Sequence, residues 1–148
     1  MTPLLITPED AARLRSLAQA WEGTPWVAEG CIRGAGASCT GLPYGILAEF
    51  GHVAPTLPTR IGLPKSAILP TCIAWLNDHP ELYQPVTDFA DIRAGDVLIF
   101  DLGIGHAALA TGGTEMFHSW QSMGAHFGNF SDVKLAKRLR GAWRPITL

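Results

Sequence analysis

The chain lacks most of the features that announce a binding class at once. It has no excess of positive charge: 11 Lys and Arg stand against 13 Asp and Glu, a net charge of −2 over 148 residues. That balance gives no basic footprint for nucleic acid or anionic lipid. It is poor in charge altogether (16%) and rich in apolar residues (47%). No single apolar run reaches the length of a membrane span, so no membrane partner is expected. There are only three cysteines, Cys31, Cys39 and Cys72, with no CxxC pair. An odd, sparse set gives no disulfide framework, and these spacings fit no zinc module. The opening "MTPLLITPEDAARLRS" has no basic segment followed by an apolar one. It therefore predicts synthesis in the cytoplasm without a signal peptide. Repeats and low-complexity tracts are also missing, and the length suits one domain over residues 1–148.

What is present falls into two halves. "TPEDAARLRSLAQAWEG" (7–23) predicts a helix capped by Thr7, with Pro8 at its first position and Asp10 placed for a capping box. Leu14, Leu17, Ala18 and Trp21 fall on one face. Residues 24–38 read as a glycine-bearing loop, and "CTGLPYGILAEFG" as a second helix with a stripe of Leu42, Ile46, Leu47 and Phe50. Residues 52–69 read as a loop, "PTCIAWLNDH" (70–79) as a short helix, and 80–95 as irregular. From "GDVLIFD" the pattern turns to strands, followed by "GHAALAT", "EMFHSW" and "GAHFGNF". "SDVKLAKRLR" reads as a basic helix capped by Ser131, and "GAWRPITL" as a closing strand. Helices first and strands after predict an α+β domain with an antiparallel sheet.

This layout puts Cys39 at or next to a helix N-terminus, behind "RGAGAS". A free thiol is mostly protonated near neutrality, and the thiolate is the nucleophile. A helix N-terminus favours negative charge, and its N–H groups suit an oxyanion. An imidazole within reach would take the proton. Of the five histidines, His52 and His79 lie at helix ends and read as exposed. His126 reads as structural or exposed. His106 and His118 sit in strand patterns joined by "TGGT". A plain two-residue turn at Gly112–Gly113 would oppose His106 to Ser119 and send the two histidines to opposite faces. An odd loop such as "TGG", or a bulge, would put them on one face, where His118 could hold His106 against Cys39. Cys72 reads as core and Cys31 as incidental. Trp26 and Trp120 are candidates for a substrate groove, set against ordinary packing. Asp96 reads as a turn residue.

Together "GTPWVAEGCIRGAGASCTGL", "IRAGDVLIF", "GIGHAALATGGTEMFHSW" and "WRP" resemble the NlpC-type papain-like cysteine peptidases, and more narrowly their phage-associated branch. The resemblance runs from about Trp21 to Pro145. It implies a papain-like α+β fold, with the nucleophile at a helix N-terminus packed on an antiparallel sheet. It implies hydrolysis of peptide bonds in peptidoglycan stem peptides beside D-glutamate and a diamino acid. By the same resemblance Cys39 matches the nucleophile, His106 the base and His118 the third polar residue, with no metal or organic cofactor. Trp26, Ser38 and Trp120 fall on the substrate side, and the partners implied are stem peptides and phage tail proteins. The family usually has Asp where this chain has Ser38, and Tyr where it has Trp26. Those two changes motivate the alternative of a catalytically inactive wall-binding or phage structural module. A third reading, acyl transfer to a lipid, lacks the amphipathic segment it would need.

Overall fold

The computed structural model describes residues 2–4, 7–52 and 62–147. Helix α1 spans Pro8–Trp21 and carries the expected capping box: Thr7 accepts from the Asp10 N–H while Asp10 accepts from the Thr7 N–H. Its buried stripe is Leu14, Ala18 and Trp21. Helix α2 (Gly41–Glu49) buries Leu42, Ile46 and Leu47, and α3 (Lys65–Asn77) buries Ile68, Cys72 and Leu76. These three helices cover one face of an antiparallel sheet.

The sheet runs in the order β1 (Thr2–Pro3), β9 (Leu139–Thr147), β5 (Val97–Asp101), β6 (Gly105–Gly112), β7 (Glu115–Trp120) and β8 (Gly124–Asn129), and β4 (Tyr83–Pro85) also pairs with β9. Alternation along the strands divides the core. Val97, Ile99, Ala107, Leu109 and Phe117 face the helices. Leu98, Phe100, Ala108, Ala110 and Met116 face the other way, packed by Leu102, Phe130 and Leu135. A separate two-stranded ribbon, β2 (Cys31–Ile32) with β3 (Gly36–Ala37), lies in the stretch read as loop.

Several expectations are corrected. The helix expected over 70–79 begins at Lys65 and runs through Pro70. Pro70 is exposed and lacks only the N–H that would reach back to Ser66, which is also exposed, so water can serve that carbonyl. The strand β4 lies in the segment read as irregular. The basic helix shrinks to α4 (Val133–Ala136), and its cap is Asp132, accepting from the Lys134 N–H at 2.9 Å. Ser131 instead donates to Asn129 through its N–H and hydroxyl. His52 is buried and bonds the Leu82 carbonyl, and His79 is half-buried against the Trp75 carbonyl. Part of the expected 52–69 loop, residues 53–61, lies outside the described residues.

Candidate active site

Cys39 sits two residues before α2, at the start of its first turn. The Ser38 carbonyl accepts the Leu42 N–H at 3.0 Å, and Ser38 Oγ accepts the Gly41 N–H at 2.9 Å. In hydrogen-bonding terms Ser38 caps this helix, and Cys39 occupies the first position after the cap. The preceding loop is drawn tight against it: the Gly30 carbonyl accepts the Ser38 N–H, and a Cβ on Gly41 would collide with that same carbonyl. The glycine after Cys39–Thr40 is therefore a packing requirement. Ser119 fixes the approach from the sheet side. Its buried hydroxyl donates to the Ala37 carbonyl at 2.7 Å, tying β7 to the strand that leads into Cys39.

The histidines meet through a bulge. The β6–β7 register pairs Leu109 with Phe117 and Ala110 with Met116, then shifts so that Gly112 pairs with Glu115. Thr111 is the extra residue. Its hydroxyl donates to Glu115, which also takes a bidentate pair from Arg15 on α1. Continuing the register puts His106 opposite Trp120 and His118 opposite Ala108. The two histidines thus share a face as diagonal neighbours, where side chains of this size reach each other. A bulge of the kind the catalytic reading required is present, with a two-residue turn at Gly113–Thr114 in place of an odd loop. The direct His106–His118 opposition drawn from "TGG" is replaced by the diagonal. His106 Nε2 and His118 Nδ1 are 2.8 Å apart, and the Trp120 ring stands edge-on to His106 with centroids 4.7 Å apart.

Both Cys39 and His106 are 3% exposed. They line one open cavity of about 630 Å³, together with Trp26, Ser119, Trp120 and the β5–β6 turn from Leu102 to Gly105. Of the expected site residues, Cys39, His106, Trp26 and Trp120 are brought together on this cavity. His118 stands behind His106. Ser38 is not part of the wall: it is 1% exposed and spends its hydroxyl on Gly41 and Thr40. Its short side chain supports the helix under Cys39. At Gly105 a Cβ would come within 2.8 Å of the Leu69 backbone, so the strand carrying His106 lies directly on α3.

His126, read as structural or exposed, is half-buried directly across from His118 with ring centroids 4.3 Å apart. Its Nδ1 donates to the Gly124 carbonyl. Burial first, and the neighbouring His126 second, pull the His118 pKa down to about 4. His118 is then neutral at neutral pH, and it keeps a lone pair for His106 when His106 carries two protons. Linkage fixes the sign of a stability effect. An unfolded histidine titrates at its ordinary 6.5, so below that pH the unfolded chain binds the proton that folded His118 refuses. Stability falls as pH drops from about 6.5 to about 4, by up to about 3 kcal/mol from this group. Urea midpoints across that range should decline more steeply for the wild type than for His118→Gln. His52, also held low by burial, contributes equally to both. Parallel declines would contradict the assignment.

Ser119 and His126 carry no signal in the sequence beyond their alternation with known core positions. No protein-family model matches the chain, nor does any curated protein sequence, but solved structures do. A protein described as similar to lipoprotein, of the NLP/P60 family, from Staphylococcus aureus subsp. aureus Mu50 is 21% identical, with a TM-score of 0.65 over 100% of this chain and 45% of its own. NlpC2 from Trichomonas vaginalis is 14% identical, with a TM-score of 0.68 over 97% of this chain and 49% of its own. The NlpC/p60 domain of the peptidoglycan hydrolase SagA is 18% identical, with a TM-score of 0.57 over 93% of this chain and 98% of its own. The chain thus spans less than half of the first two and nearly the whole of the third. With helices packed on one face of an antiparallel sheet and the cysteine at a helix start, the chain has the papain-like α+β fold of the NlpC/P60 proteins.

Proposed function

We propose that the chain is a cysteine peptidase that hydrolyses peptide bonds in peptidoglycan stem peptides, with Cys39 as nucleophile, His106 as base and His118 as the residue that orients it. The observation that carries the reading is the 2.8 Å bond between His106 Nε2 and His118 Nδ1, with His106 lining the cavity that Cys39 also lines. Structural neighbours that include a peptidoglycan hydrolase domain support the substrate class. The phage-borne setting rests on the sequence resemblance alone.

In this reading the Cys39 thiol proton passes to His106 Nδ1, and Nε2–H donates to neutral His118. The thiolate attacks the amide carbonyl. The oxyanion forms beside the N-terminus of α2, whose partial positive charge favours it. His106 returns the proton to the departing amine as the C–N bond breaks, leaving a thioester on Cys39. Water, giving a proton to His106, attacks that thioester, and the released acid leaves a thiol that regains its proton. Neither step needs a metal or a redox partner.

The test is to incubate the chain with a stem tetrapeptide and with purified peptidoglycan, following new amino groups and product masses. The expected result is release of defined peptide fragments by the wild type and none by Cys39→Ala. Release by both would remove the thiol from the mechanism, and release by neither would remove the peptidase reading.

A further inference from the structure

We propose that the substrate cavity continues across Leu102 into a second, cationic subsite that takes a free carboxylate of a short peptide. The proposal rests on the peptidase reading for the identity of that peptide, and it names a place where the peptide's negative charge would lie. A cavity of about 430 Å³ is lined by Leu102, Val133, Lys134, Leu135, Lys137 and Arg138. Leu102 also lines the cavity that holds Cys39 and His106, so one side chain forms a wall of both.

The two cavities are held in fixed relation. The Arg138 carbonyl accepts the Asp101 N–H at 2.9 Å, and Leu102 and Leu135 pack in the same cluster beneath the sheet. The basic segment is therefore docked on the β5–β6 turn, whose other side borders the catalytic cavity. Charge is concentrated there in a chain that is net negative. Four of its 11 Lys and Arg fall within residues 134–140. Among the described residues, Lys134, Lys137 and Arg138 have no carboxylate partner. The nearby acids are otherwise engaged: Asp132 caps the Lys134 N–H, and Asp101 accepts from the Gly103 N–H and stands 4.0 Å from Arg140. Three unpaired cations around a pocket, with apolar Leu102, Val133 and Leu135 between them, suit the free carboxylates of a short peptide.

The experiment titrates full-length Cys39→Ala, which cannot turn over the peptide, with L-Ala-γ-D-Glu-L-Lys-D-Ala and with the same peptide amidated at both free carboxylates. Backbone amide resonances report the place of binding. The free peptide is expected to shift residues 134–138 more than the amidated one and to bind about tenfold tighter at low salt, the range for a few exposed charge pairs. That preference should vanish in Lys134→Gln/Lys137→Gln/Arg138→Gln, and in about 1 M salt, where the screening length is about 3 Å. All three side chains are exposed, so the triple variant is expected to fold, and its amide spectrum checks this. Silent resonances at 134–138, or a triple variant that keeps the preference, would overturn the subsite whether or not the wild type cleaves the peptide. Shifts that stand while the wild type cleaves nothing would support the subsite and overturn the peptidase reading instead.

Discussion

Replacing Cys39 by alanine is expected to lower kcat/KM for stem-peptide cleavage by at least about four orders of magnitude. In the proposed mechanism the thiol forms and releases the acyl intermediate, and His106 lines the same cavity. Without the sulfur, His106 has no proton to take and no thiolate to stabilise. What remains is the positive end of α2 and whatever binding the cavity supplies. If Cys39 and His106 act as a unit, as proposed, the Cys39→Ala/His106→Ala double variant should be hardly slower than either single variant. Multiplicative losses would mean the two side chains work independently, which the proposed mechanism does not allow.

His118→Phe is expected to cut kcat by between about 10²- and 10⁴-fold with little change in KM. His118 is half-buried and meets His106 through Nδ1, and it does not line the cavity. Its proposed role is therefore to act through His106. Phenylalanine fills the space and removes the acceptor. The doubly protonated state of His106 would then lose the partner of its Nε2–H. His118→Gln keeps an acceptor on a side chain of similar reach and should restore part of kcat, while Phe should not. The low pKa of His118 adds a condition: the wild type should need no deprotonation of this residue anywhere above about pH 4. Steady-state kinetics of the two variants from pH 5 to 8 decides the matter. Equal losses in Gln and Phe, or losses confined to KM, would make His118 a packing residue.

Much of the frame was legible in local sequence rules. Thr7, Pro8 and Asp10 give a helix start whose chemistry is complete within four residues, so α1 needs no tertiary knowledge. The strands β5 to β8 are short runs separated by glycine-bearing turns, and they appear where the pattern puts them. Cys39 before an apolar helical stripe was equally local. What escaped depends on partners distant in sequence. The helix expected from residue 70 begins at Lys65, because the first turns of α3 are held by packing against the sheet, with Gly105 against Leu69 as one such contact. The strand β4 exists because β9 offers it an edge. Ser131, the expected cap, is taken by Asn129, and Asp132 caps α4 instead.

The site divides the same way. Residue types and order pointed to Cys39, His106 and His118. The meeting of His106 and His118 depends on the bulge at Thr111, which is held by Glu115 and by Arg15 from a helix about 100 residues away in sequence. No reading of "TGGT" alone contains Arg15. Ser38, taken as a substrate-side position because an acid is usual there, turns out to be committed to the helix start. Ser119 and His126 gain their places only from the β7 partners they face.

The proposed mechanism requires Cys39 to be a thiol activated by a helix N-terminus and by His106. Iodoacetamide labelling of Cys39 from pH 4 to 9, mapped by peptide mass to separate it from Cys31 and Cys72 and run beside His106→Ala, tests it most directly. The account predicts labelling in the wild type that is already fast well below the free-thiol pKa of about 8.5, and that shifts to higher pH in His106→Ala. Labelling that rises only near pH 8 and is the same in both proteins would contradict it.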